Sequence, residues 1–206
     1  MVSKSIVHKL IDLTPESSKT LKQGIISIAK NEVSDFEMND YLKQIFNNLF
    51  LYFTGNGGYD MNKGIYLYGD FGVGKTVTML IFRKFLASYF PFNSNGYGFV
   101  SVEKLAEHYK SEGNLLRYGR NKDEFFNLCI NEFGKEVDEK YYGTNIQNTI
   151  NSLLMVRYEL FQENKILTHA TSNFHPSTLD CFDNALMDRF KEMFNFVELK
   201  GESFRK

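Results

Sequence analysis

The chain of 206 residues has no tryptophan, only three prolines and only two cysteines. Cys129 and Cys181 lie far apart without a CxxC partner, so reduced, buried thiols are expected rather than a disulfide framework. The four histidines, His8, His108, His169 and His175, form no ligand spacing with one another or with the cysteines, which argues against a structural zinc site. A surplus of one charge is also missing. With 24 Lys and Arg against 25 Asp and Glu, a globally basic nucleic-acid coat is excluded, though a local basic strip is not. No apolar run approaches the ~20 residues a membrane span needs, and the most apolar stretch, 45–53, is broken by Asn47 and Asn48. The N-terminal MVSKSIVHKLIDL has neither the apolar core nor the cleavage site of a signal peptide. A soluble, cytoplasmic protein without a membrane partner is expected.

Aromatic residues are plentiful, with 20 Phe and 12 Tyr, so core volume is not limiting. Thr14-Pro15-Glu16 reads as a helix start, with a helix over about 17–32. A second helix over 36–53 places Tyr41, Ile45, Leu49 and Tyr52 at helical spacing, and the breaker cluster 54–58 ends it. The expected organisation is a helical N-terminal extension over 1–57 and a main domain over 58–206. From there the pattern alternates. Strands are predicted at 64–68, 98–102, 125–131, 165–171 and 194–199. Helices are predicted at 75–90, 103–112, 144–162 and 183–193. This alternation implies an α/β fold, a mostly parallel five-stranded sheet between helices.

Gly69-Asp70-Phe71-Gly72-Val73-Gly74-Lys75-Thr76 satisfies every fixed position of GxxxxGK[ST], between a predicted strand and a helix that continues through Val77. Glycines let the backbone turn its N–H groups toward a phosphate, and the helix N-terminus adds its dipole. Lys75 supplies a mobile cation for the β- and γ-phosphates, and the Thr76 hydroxyl is a Mg²⁺ ligand of the usual kind. ATP with Mg²⁺ is therefore the expected ligand.

Further along, the third strand ends in Asn131-Glu132, where a carboxylate could polarise an attacking water. The fourth ends in Thr171-Ser172-Asn173, and the amide of Asn173 could orient that water. Arg189 stands on the helix before the last strand. Taken singly, these residues are equally well explained as a surface carboxylate, a turn starter and an ion-pair partner.

Together with the phosphate loop and the tail Gly201-Glu202-Ser203-Phe204-Arg205, they resemble AAA+ ATPases of the DnaC/IstB type, helicase loaders and transposition helpers, over roughly 63–205. The resemblance implies a three-layer P-loop NTPase fold lacking most of the C-terminal lid. It implies Lys75 and Thr76 as the Walker A pair, Glu132 as the catalytic glutamate, Asn173 as the first sensor and Arg189 as a finger given to a neighbouring subunit. Homo-oligomers in the ATP state, with a replicative helicase or a transposase as partner, are implied with them. Asn131 departs from the family, which has Asp there. A neutral amide brings no charge to Mg²⁺, and the expectation is weak metal binding and slow turnover. A small-molecule P-loop kinase and a non-hydrolysing ATP-dependent adaptor remain as alternatives.

A local basic strip lies between the second and third strands. Lys104, Lys110, Arg117, Arg120 and Lys122 outnumber Glu107 and Glu112, with Tyr109 and Tyr118 interleaved. Cations for phosphates and rings for bases suit single-stranded DNA. An ordinary solvated helix explains the same residues equally well.

Overall fold

The protein is described by a computed structural model covering residues 10–119, 126–134, 140–141, 144–178 and 184–201. Helix α1 (Pro15–Glu32) is started by a capping box in which the Thr14 hydroxyl accepts the Ser17 N–H and Ser17 answers to the Thr14 N–H. Helix α2 (Asp40–Phe53) begins four residues later than its apolar pattern suggests. Asn39 is its N-cap, taking the Leu42 N–H at 2.8 Å, and Phe36 lies outside the helix with its ring against Phe46.

Strand β1 (Gly64–Tyr68), helix α3 (Lys75–Tyr89), strand β2 (Tyr97–Ser101) and helix α4 (Val102–Glu112) follow as the alternation predicts. Strand β3 (Asn127–Asn131) comes next, then the two-residue strands β4 (Lys140–Tyr141) and β5 (Thr144–Asn145). That small antiparallel pair was not foreseen, being too short to carry a periodic signal. Helix α5 (Ile146–Asn164) runs past its predicted end. Lys165 then takes a left-handed conformation (φ 58°) and its N–H bonds the Phe161 carbonyl, so β6 (Thr168–Ser172) starts later than 165. Helix α6 (Asn184–Met193) and strand β7 (Phe194–Glu198) complete the set.

The main sheet has the order β2-β3-β6-β1-β7, all pairs parallel. Its middle strands are nearly all buried, as a sheet covered on both faces requires. Register brings the C-terminal tips of β3, β6 and β1 side by side: Ile130 faces Ala170, and Tyr68 faces Ser172. Helices α1 and α2 share the core of the sheet domain. Phe46 and Phe53 meet Phe82 at 5.5 and 5.2 Å, and Phe50 meets Phe85 at 6.2 Å. Full burial of each such ring is worth roughly 1.5–3 kcal/mol, which docks both helices firmly on α3. None of the helices is long and apolar enough to cross a membrane, among the described residues.

Candidate functional site

The loop between β1 and α3 is shaped by its glycines. Gly69 has φ 148°, and a Cβ there would stand 2.1 Å from the Leu199 carbonyl oxygen. Gly74 (φ 92°) is the N-cap of α3 and has no side chain to close the helix end, which leaves the first N–H groups for an anion. Lys75 is buried, and its ammonium donates to the carbonyls of Gly69 (2.8 Å) and Asp70 (2.6 Å), across the mouth of the loop.

Behind the loop, three polar side chains meet at one atom. The Thr76 and Thr171 hydroxyls both donate to Asn131 Oδ1, at 2.7 and 2.8 Å. The Glu132 N–H donates to Thr171 Oγ1 at 3.1 Å, which fixes the Thr171 proton on Asn131. Ser172 Oγ closes the row by donating to the Phe133 carbonyl at 2.6 Å. Glu132 itself sits at φ 60°, a left-handed conformation that costs a non-glycine residue roughly 1–2 kcal/mol. Sequence spacing carries no trace of that strain.

These elements enclose a cavity of about 430 Å³. Its polar end holds the phosphate loop, Glu132, Thr171, Ser172 and Asn173, and its apolar end holds Val33, Phe36, Leu42, Val77 and Ile81. The predicted residues Gly72, Val73, Gly74, Lys75, Thr76 and Val77 all line it, with Phe71 on the rim at 72% exposure. Val33 at the C-cap of α1, Phe36 in the connection and Leu42 in the first turn of α2 were not singled out from the sequence.

Arg189 does not reach this cavity. Its guanidinium lies 5.3 Å over the Tyr158 ring and 3.0 Å from Met155 Sδ, held against α5.

A tightly held Mg²⁺ does not fit the donor set. The Thr76 hydroxyl suits a metal, but Asn131 Oδ1 has two lone pairs and both already receive hydroxyl protons. The rest of the Asn131 head is an NH₂ group, which can only donate.

On the α4 side, the basic strip is largely neutralised from within. Lys104 pairs with Glu107 at 2.8 Å and Arg117 with Glu112 at 3.2 Å. The hydrogen bond between them holds Glu107 below the usual carboxylate range and Lys104 above the usual lysine range. Tyr118 stacks on His108 (5.6 Å, 12°) and its hydroxyl bonds His108 Nδ1, so one ring face is already taken. Lys110 is exposed on α4, and Arg120 and Lys122 lie outside the described residues.

Arg157 of α5 is fully buried, against the simple expectation of a surface ion pair. It donates to Thr168 Oγ1 (3.0 Å) and to the carbonyls of Leu167 (2.7 Å), Phe126 (3.0 Å) and Tyr118 (3.3 Å). Burial pulls its pKa down to about 9, still above neutrality, so the group stays charged.

No protein-family model matches the chain, and no curated protein is similar in sequence. Solved structures are similar in fold. A DnaI structure is 23% identical, with 87% of this chain covering 93% of that one at a TM-score of 0.58. A DnaC helicase loader is 18% identical, with 82% covering 95% at 0.56. The replication initiator DnaA bound to AMPPCP and single-stranded DNA is 15% identical, with 82% covering 49% at 0.53. The chain thus spans nearly all of the first two and about half of the third. The fold is the one these solved structures share, a parallel five-stranded sheet flanked by helices, as the alternation of strands and helices in the sequence leads one to expect.

Proposed function

We propose that this chain binds ATP in the cavity and acts as a AAA+ factor of the helicase-loader kind in DNA replication. The observation that carries this is the cavity's two-ended chemistry. Open helix N–H groups and a buried ammonium stand at one end, and the apolar side chains of Val33, Phe36, Leu42 and Ile81 line the rest. The AMPPCP-bound DnaA of the same fold supports the ligand class.

In this reading Lys75 leaves the Gly69 and Asp70 carbonyls to meet the β- and γ-phosphates. Glu132, locked by its backbone and by the Thr171 bond, accepts the proton of an attacking water, and the Asn173 amide orients that water. Hydrolysis is slow, because the charge normally beside Glu132 is replaced by the neutral Asn131. Arg189, held on the outside of α5, is offered to the nucleotide of a neighbouring copy. The division into a helical extension (1–57) and a nucleotide-binding domain (58–206) assigns the extension two duties, covering the base and docking a replicative helicase. The face of α4 is the surface for single-stranded DNA, with phosphates displacing Glu107 and Glu112 from Lys104 and Arg117.

Size-exclusion chromatography with light scattering tests this reading. Addition of ATP, with single-stranded DNA present, should convert the chain to a higher oligomer, and Arg189→Ala should block the conversion. A chain that stays monomeric in every condition would exclude the head-to-tail assembly and favour a kinase or an adaptor.

A further inference from the structure

Asn131 stands where a triphosphate site needs an acceptor for metal-bound water, and its hydrogen bonds bear on what the site requires. Glu132 N–H fills the acceptor side of Thr171 Oγ1, so the Thr171 proton goes to Asn131 Oδ1. Thr76, in the first turn of α3, sends its proton to the same oxygen. A carboxylate at this position would have a second oxygen left for a metal-bound water, and a negative charge to hold the cation. An amide has neither. Its second head atom is an NH₂, and a metal-bound water also presents protons, so the two would meet donor to donor. Among the described residues no group of three His, Cys, Asp or Glu side chains could take over the cation.

The same substitution removes a problem that a carboxylate creates. A carboxylate beside a triphosphate repels it unless a cation stands between them, which makes nucleotide affinity depend on the metal. With Asn131, the position between Thr76 and Thr171 is neutral, which leaves Glu132 as the carboxylate at the tip of β3, and the buried Lys75 ammonium stands in the same cavity lining as a countercharge.

We propose that this site binds nucleoside triphosphate with little or no dependence on a divalent cation, because Asn131 uncouples the phosphate loop from the metal. The inference rests on the ATP-binding reading above and goes beyond it. It makes the bound state responsive to nucleotide concentration rather than to Mg²⁺.

The test is calorimetric titration of the intact chain with AMPPCP in excess Mg²⁺ and again in EDTA, for wild type and for Asn131→Asp. Wild-type affinity should change by less than about threefold between the two buffers. Asn131→Asp should lose about tenfold or more in EDTA and recover it in Mg²⁺. Titration of Mn²⁺ into the wild-type AMPPCP complex, read by paramagnetic resonance, should show manganese bound no more tightly than by free AMPPCP. A wild type that loses tenfold in EDTA, or that tightens Mn²⁺ above the free nucleotide, overturns the proposal whether or not the variant folds. Absence of nucleotide binding in both buffers would instead remove the nucleotide site itself, and the proposal with it.

Discussion

Around the cavity, Thr76, Asn131 and Thr171 are joined through one amide oxygen, with Asn131 and Thr171 buried, whereas on the α4 face Lys104, Glu107, Arg117 and Glu112 meet at the exposed surface. The first arrangement is fixed by the strands and by α3, and a ligand finds it already organised. The second consists of solvent-screened surface pairs, which a competing phosphate can open. Arg157 joins the two regions. It holds the turn after α4, through Tyr118, to the start of β3 and to β6, whose far ends carry the site. A buried residue of α5 therefore ties the turn after α4 to the sheet.

Removing that link should have the largest effect. Arg157→Ala leaves several buried acceptors without a donor, and a loss of about 3–5 kcal/mol in urea unfolding is expected. Arg157→Lys should not restore it, since one ammonium cannot reach four acceptors arranged for a planar fork. A change below 1 kcal/mol would mean that the two regions are independent.

A smaller effect, opposite in sign, is expected at the cavity. Glu132→Gly relieves the positive φ and should stabilise the fold by about 1 kcal/mol while abolishing phosphate release. Stability and turnover moving together would contradict a strained residue kept for its carboxylate.

The smallest effect belongs to the exposed face. Glu112→Gln frees Arg117, and single-stranded DNA affinity should rise by about two- to fivefold at low salt, with the gain vanishing as salt increases. Fluorescence anisotropy with a labelled oligonucleotide would measure it. An unchanged affinity at low salt would take Arg117 out of the DNA surface.

The same contrast explains what was legible in the sequence. The strand–loop–helix from Gly64 through Thr76 follows from residue types that demand one backbone path, and the parallel character of the main sheet follows from the alternation of strands with helices, whereas the order of the strands was not read. The ends of α2 and β6 were misjudged by a few residues because Asn39 and Lys165 act through caps, which periodicity does not register. Glu132 was visible as a carboxylate at a strand tip, but its left-handed backbone was not. Nothing in helical spacing shows that the charge of Arg157 is enclosed by four acceptors. On α4 the cations were visible, and the carboxylates that neutralise them were visible too. Which of them meet is decided in three dimensions.

The central claim, that a triphosphate nucleotide lies with its phosphates on the loop and its base against Val33, Phe36 and Ile81, is tested most directly by photo-crosslinking with 8-azido-ATP and peptide mapping. Adducts should fall within residues 33–42 or 73–81, be competed away by ATP, and disappear in Lys75→Ala. Adducts elsewhere, or labelling that survives both ATP competition and Lys75→Ala, would contradict it.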